Sequence, residues 1–348
     1  MRFSILVFCV ASLLGTASGS AQTIDGDAFT YFDERKKLGG PFSISQGPRK
    51  WLAAVAGEWM KGLPDDTPLA AISIPGTHDS AAYPDTSGCG TQTWNIDNQL
   101  RAGIRFLDIR LRRKDNKFQA AHGSCLSIKT PFSEIMETIQ AFLAENPSEM
   151  LLMRVKSEGK TKNSPLSFPE IWNTYMQEYG HLFYPEISRD QLYPDPPVTP
   201  LDYTGSGYIP VLPVLGELRG KILIMSELGY VPSEYGLRYH DAAEIQDEYK
   251  VIRMAGDGVT PLGAVRMRDK KKLISAYLEI GGLAQYIVLN YLSGSTYLTP
   301  EDVAGTTNKY AYDSIGYLHG KRVSLGVVIA DFPGNKLVYR IIKSNFDG

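Results

Sequence analysis

The 348-residue sequence predicts an α/β chain, a barrel of parallel strands wrapped by helices, and three features carry that expectation. Short apolar runs alternate with stretches of helical period over most of the chain. The runs are apolar at successive positions, not at every second one, which is the pattern of parallel strands buried on both faces. Several runs end on a titratable residue, and in a parallel barrel the strand C-termini open at one common mouth.

The first 21 residues, "MRFSILVFCVASLLGTASGSA", stand apart from this alternation. They carry one positive charge at Arg2, an apolar run from Phe3 to Leu14 and small residues through Gly19, Ser20 and Ala21. That composition reads as an export signal cleaved near Ala21, and the run is shorter than the about 20 residues of a membrane span. Residues 22–348 are then expected to form a single barrel domain in a secreted, extracellular protein. In "RKWLAAVAGEWMKGL" (49–63), Trp51, Leu52, Val55 and Trp59 sit near helical spacing between Lys50 and Lys61. The stripe reads as a helix packed on the barrel, with a lipid-facing interfacial helix as the alternative. Trp94 and the tyrosines of 290–303 are further candidates for lipid contact.

The expected strands follow as "LAAISIP" (69–75), "IRFLDIRL" (104–111), "FQAAHG" (118–123), "EMLLMRVK" (149–156), "GKILIMSE" (220–227), "QYIVLNYL" (285–292) and "VSLGVVIADF" (323–332). Between them, "PFSEIMETIQAFLAEN" (131–146) puts Ile135, Ile139, Phe142 and Leu143 on one helical face with Ser133 as N-cap. A similar pattern marks a helix in 268–281. The Pro-, Gly- and Tyr-rich stretch 193–216 reads as a long rim insertion.

Composition narrows the function classes. With 43% hydrophobic and 21% charged residues, the chain has the means to bury a large core and is not a disordered one. Its 36 basic residues are outnumbered by 38 acidic ones, so nothing recommends nucleic acid as a partner. Loss of the leader removes Cys9 and leaves Cys89 and Cys125, which either stay as two buried thiols or close one bridge; an oxidising compartment favours the bridge. No Cys/His spacing resembles a zinc site.

The chemistry gathers at the strand ends. His78 and Asp79 follow the first run; Asp108 and Arg110 lie two apart and so leave one face of the second. His122 closes "FQAAHG", Lys156 and Glu158 close "LLMRVKSE", and Asp331 closes "VVIAD". Taken singly, a strand-end histidine or an Asp-x-Arg pair is most often structural. Together, two histidines divide general base and general acid work near neutral pH, and an arginine between them offers a planar fork to a phosphate oxygen. The set points to phosphodiester cleavage.

"ISIPGTHDS", "AGIRFLDIRL", "AAHG", "LLMRVKSE", "EIQDEYK" and "VVIADFPG" resemble the successive motifs of the secreted, calcium-independent phosphatidylinositol-specific phospholipases C of bacterial type. The resemblance spans roughly residues 65 to 340. It implies an irregular (β/α)8 TIM-type barrel without cofactor. By the same resemblance, His78 is the base for the inositol 2-hydroxyl, Asp331 its support, His122 with Asp79 the acid for the departing diacylglycerol oxygen, and Arg110 with Asp108 the phosphate site. Lys156, Asp247 and Tyr249 fall where the family contacts the inositol ring. Calcium-dependent relatives carry Asn, Glu-x-Asp and Glu where this chain has Asp79, Asp108-x-Arg110 and Lys156, so no metal is expected.

The expected partner is a phosphatidylinositol-containing membrane surface met transiently, with lipid-anchored glycans as a further substrate class and no nucleic acid. Ser226-Glu227 stands where the family usually has a basic residue touching inositol. That departure keeps two alternatives open: a phosphodiesterase for another lipid head group, or a non-catalytic barrel that binds inositol lipids or sugar phosphates.

Overall fold

The computed structural model describes residues 56–83, 89–123, 125, 127–194, 210–228, 235–241, 243–252, 264–282, 286–296, 299–318 and 324–346. Residues 1–21, expected as a leader, and most of the 193–216 insertion lie outside them, as do Trp51, Leu52 and Val55. In chain order the strands are β1 (Ile74–Thr77), β2 (Phe106–Lys114), β3 (Lys117–Ala120), β4 (Leu151–Ser157), β5 (Ile222–Ser226), β6 (Leu237–Arg238), β7 (Ala243–Gln246), β8 (Lys250–Ile252), β9 (Val265–Arg266), β10 (Ile287–Tyr291), β11 (Ser295–Thr296) and β12 (Val327–Ala330). The main helices are α1 (Ile96–Arg101), α2 (Phe132–Glu145), α3 (Phe168–Tyr179), α4 (Met267–Gly281), α5 (Pro300–Leu318) and α6 (Asn335–Lys343).

Eight strands run parallel in one sheet of order β6-β5-β4-β2-β1-β12-β10-β7, and the two edge strands are neighbours in the chain. In a flat sheet β4 and β10 would stand four strand spacings apart, about 19 Å. Yet Arg154 of β4 donates from Nη1 to the Tyr291 hydroxyl of β10 at 3.1 Å. Just past β6, the Tyr239 hydroxyl meets that of Tyr291 at 2.8 Å. The sheet therefore curls into the expected barrel. It is irregular because β6 and β7, though adjacent in sequence, are not paired with each other among the described residues.

Both faces of the strands are buried, as their apolar completeness requires. In β12, Val327 and Ile329 join the main core, while Val328 and Ala330 pack outward against Ile274, Ile315, Leu337 and Ile341 of the covering helices. At the opposite end from the strand C-termini, Arg105 and Glu149 form a fully buried ion pair at 2.8 Å. Arg105 also donates to the carbonyls of Leu100, Ile104, Ala56 and Gly57, so its five donors are spread over a chain bottom that needs tying together.

Three expectations are revised. "FQAAHG" is not a barrel stave: β3 pairs antiparallel with β2, Leu111 facing Ala120, in a hairpin that turns back toward the mouth. Its turn residues Asp115 and Asn116 adopt φ of 50° and 56°, conformations that Asp and Asn tolerate. Helix α2 begins one residue before Ser133, because Pro131 holds the extended cap conformation and Phe132 is already buried. Trp59 faces the core at 1% exposure, as a helix packed on the barrel requires, whereas the lipid-contact candidates Trp94 and Tyr291 are themselves buried; Tyr297 lies outside the described residues. No helix among the described residues is long and apolar enough to cross a membrane.

Candidate active site

The mouth of the barrel is built by register. Thr77 of β1 lies beside Ala330 of β12, and the His78 amide continues that ladder to the Ala330 carbonyl at 3.1 Å. The next residues along, His78 and Asp331, are thereby brought side by side, with Nδ1 and Oδ1 2.8 Å apart. On the other flank, β2 and β4 pair Asp108 with Arg154 and Arg110 with Lys156. Residues two apart share a face, so the four charges form a square on the inner wall.

His122 arrives by another route. Phe118 of β3 stacks on Tyr175 with centroids 5.6 Å apart and tilts against Phe168 at 4.3 Å, which pins the hairpin to α3. The Ala121 amide donates to the Arg110 carbonyl at 2.9 Å, setting His122 level with the Arg110 side chain. Cys89 and Cys125 form a disulfide. The Cys89 carbonyl accepts from His122 Nδ1 at 2.6 Å, and the Cys125 amide donates to the His122 carbonyl at 2.9 Å.

All six expected catalytic residues join one cluster. Arg110 is its hub: Nε lies 2.9 Å from Asp79 Oδ1, Nη2 3.1 Å from Asp108 Oδ2 and 2.7 Å from His78 Nε2, and Nη1 3.0 Å from Glu158 Oε2. Because a guanidinium only donates, His78 Nε2 carries a lone pair and Nδ1 carries the hydrogen given to Asp331. Asp79 Oδ2 sits between the two imidazoles, 3.6 Å from His78 Nε2 and 3.4 Å from His122 Nε2.

The electrostatics set each group apart. Burial first, then the Arg110 charge, holds His78 well below the usual histidine range, which keeps it neutral. Burial alone would raise Asp108, but Arg110 and Arg154 outweigh it and hold this carboxylate ionised. Asp79 and Asp331 are pushed well above the carboxylate range, by burial first; Arg110 partly offsets the rise at Asp79, while the Asp79 charge adds to it at Asp331. Two non-glycine site positions have positive φ: Asp79 at 43° and Phe332, next to Asp331, at 45°. The Phe332 amide is held by the Thr91 carbonyl at 2.9 Å, and Asn308 Nδ2 donates to the Asp331 carbonyl at 2.9 Å. These contacts stabilise a backbone that an aromatic residue otherwise avoids, and the outlier orients Asp331.

Of the expected head-group residues, Lys156 stands beside Arg110 in register and 3.5 Å from Glu227. Asp247 and Tyr249 follow β7 on the rim, and Tyr249 is 52% exposed. Asp247 is open to solvent yet walled by protein, whose burial raises its carboxyl while the Arg154 and Lys270 charges lower it. Sequence reasoning passed over Arg154, read Glu227 only as a departure from the family pattern and counted Tyr291 among the candidates for lipid contact. Arg154 is buried, donates from Nε to Glu227 at 2.6 Å and reaches Asp108 at 3.2 Å, with Tyr239 and Tyr291 rings around its guanidinium. An arginine two residues before Lys156 in an otherwise apolar strand was the available signal. Glu227, the departure from the family pattern, is thus the counter-ion of two cations. Glu158 bridges Arg110 to the turn of His122, accepting from the Gly123 amide at 2.5 Å.

The PI-PLC X family model covers residues 66–166, the segment holding His78, Asp108, Arg110, His122 and Lys156. A 1-phosphatidylinositol phosphodiesterase of Listeria monocytogenes is 31% identical over 304 residues, 83% of this chain and 84% of the relative. The solved structure of a phosphatidylinositol-specific phospholipase C from Listeria monocytogenes superposes with a TM-score of 0.65 at 31% identity, over 83% of this chain and 98% of that one. A Staphylococcus aureus phosphatidylinositol-specific phospholipase C shares the fold, with a TM-score of 0.65 at 21% identity over 84% of this chain and 99% of that one. Identity of 31% over more than four fifths of both chains, with the same fold, shows that the chain belongs to the bacterial phosphatidylinositol-specific phospholipase C family.

Proposed function

We propose that the protein cleaves phosphatidylinositol to diacylglycerol and a cyclic inositol phosphate, with two histidines as base and acid and an arginine in place of a metal. The observation that carries this reading is the placement of Asp79 Oδ2 between two imidazole Nε2 atoms, with Arg110 against the same carboxylate. The inositol 2-hydroxyl displaces the Arg110 contact on His78 Nε2 and gives its proton there. Its oxygen bonds to phosphorus as the bond to the diacylglycerol oxygen breaks, and His122 Nε2 supplies the proton that oxygen takes. Asp331 supports the imidazolium that forms on His78; Asp79 supports the one spent on His122.

Arg110 moves its freed donors to the phosphate oxygens, where negative charge grows in the transition state. A guanidinium already sits where carboxylates of Asp79, Asp108 and Glu158 converge, so the cation the reaction requires is part of the chain. Lys156, Asp247 and Tyr249 receive the ring, and a membrane bearing the lipid is the transient partner, with lipid-anchored glycans a further substrate class. The leader of residues 1–21 and the disulfide support export to the extracellular space, with one barrel domain as the mature chain.

Turnover of phosphatidylinositol in mixed micelles containing a calcium chelator tests the reading. The wild type is expected to be active, and His78→Ala and His122→Ala to lose a factor of about 10² to 10⁴ each. Chelator-sensitive activity would overturn the metal-free mechanism, and absence of turnover would leave a binding barrel. Equal rates on inositol, choline and glycerol head groups would show that Glu227 has changed the substrate class.

A further inference from the structure

Among the features that the proposed chemistry leaves unused, the disulfide lies nearest the reacting groups. We infer that the Cys89–Cys125 disulfide is a positioning device for the general acid, holding the Cys89 carbonyl on His122 Nδ1 so that the transferable proton sits on Nε2. The inference rests on the reading of His122 as the acid.

The clamp is a closed circuit. It runs from His122 Nδ1 to the Cys89 carbonyl at 2.6 Å, across the sulfur bridge to Cys125, and from the Cys125 amide back to the His122 carbonyl at 2.9 Å. A carbonyl only accepts, so Nδ1 carries hydrogen in this contact whatever the charge on the ring. After Nε2 gives up its proton, the neutral ring is left as the Nδ1–H tautomer, which is the form the Cys89 carbonyl binds. The clamp therefore favours both the loaded and the spent acid with Nε2 as the working atom, and it turns that atom toward Asp79 at 3.4 Å. On the far side, the next residue in the chain is held separately, by Glu158 on the Gly123 amide.

Without the bridge, Cys89 and His122 remain on two loops whose nearest covalent connection is 33 residues long. The imidazole is 25% exposed, so water competes for Nδ1 and the ring is free to turn. The base His78 has its own anchors, Asp331 and Arg110, which the bridge does not touch. Loss of the disulfide is thus expected to impair acid catalysis selectively.

A leaving-group comparison reads that selectivity. Rates are measured on phosphatidylinositol, whose alkoxide needs a proton, and on a nitrophenyl ester of inositol phosphate, whose phenolate does not. The samples are the wild type, Cys89→Ser/Cys125→Ser, His122→Ala, and wild type reduced with a dithiol. In the last, the dithiol gives two electrons and two protons to the bridge, leaving two thiols, and closes to its own disulfide. The ratio of the two rates within one sample is independent of the fraction folded.

The lipid-to-nitrophenyl ratio is expected to fall about 10- to 100-fold in the double variant and in the reduced protein, and further in His122→Ala. A ratio within twofold of wild type in both disulfide-free samples, with the His122→Ala ratio still lowered, would overturn the positioning role and leave His122 as the acid. An unchanged ratio in His122→Ala would overturn the acid assignment itself. NMR of the five histidines supplies an independent readout: neutral His122 is expected as Nδ1–H in the wild type and as a mixture without the bridge. An unchanged tautomer in the double variant would also overturn the inference.

Discussion

Replacing Arg110 by lysine keeps the charge and removes the geometry, which makes it the sharpest test of a guanidinium acting in place of a metal. Arg110 directs three separate nitrogens at Asp79, Asp108, His78 and Glu158, at 2.7 to 3.1 Å. An ammonium has its three donors on one atom and a shorter reach. It can hold one phosphate oxygen but not two in parallel, so one charge-assisted hydrogen bond is lost in the transition state, about 1.5–3 kcal/mol. Retreat from Asp79 or Glu158 loosens the cation's position and removes roughly another 1 kcal/mol. The sum predicts a fall in kcat/KM of about 10² to 10³. Initial rates on phosphatidylinositol micelles, with the thermal midpoint measured in parallel, provide the assay. The midpoint should shift little, because Asp79, Asp108 and Glu158 still face a positive charge. Arg110→Leu would leave those buried carboxylates uncompensated, a cost of about 3–5 kcal/mol that confounds the comparison. A lysine variant within about fivefold of wild type would refute the forked-phosphate argument.

Three other outcomes follow from the same geometry. Because burial and Arg110 lower the His78 pKa, the base is expected to be neutral well below the ordinary histidine value of about 6.5. The acid limb of kcat/KM, checked against an NMR titration of His78, should lie below it too. Between the lowered folded value and 6.5 the unfolded chain binds the extra proton, so this group makes stability fall as pH drops through that window. Asp331→Asn keeps a hydrogen-bond acceptor 2.8 Å from His78 Nδ1 but removes the carboxyl that the imidazolium, as it forms, holds ionised and pairs with, and kcat should drop about 10²- to 10⁴-fold with KM nearly unchanged. Gly76→Ala would place a Cβ 2.9 Å from the Phe106 Cβ, between β1 and β2; a loss of about 1–3 kcal/mol in denaturant unfolding is expected, and an unaltered midpoint would show that the strands can part there.

The sequence by itself determined the parallel barrel and most of its strand ends, because a strand buried on both faces is a local pattern of composition and needs no partner to be read. It also determined which residue types stand at the mouth, since His78, Arg110, His122, Lys156 and Asp331 each interrupt or close an apolar run. The tertiary structure decided what those residues touch. Only the register of β2 against β4 shows that Arg154 lies beside Asp108, and a lone arginine inside "LLMRVK" gives no sign of its partner. Only the curl of the sheet brings Tyr291 of β10 to that same arginine, because strands far apart in sheet order meet through the barrel interior. The hairpin origin of His122 was hidden as well: an apolar run does not announce whether it pairs parallel or antiparallel, a choice made by the two-residue turn at Asp115-Asn116. Glu227 looked like a defect in the head-group site when read along the chain. In space it is the counter-ion of Arg154 and Lys156, since charge compensation acts across strands and not along them.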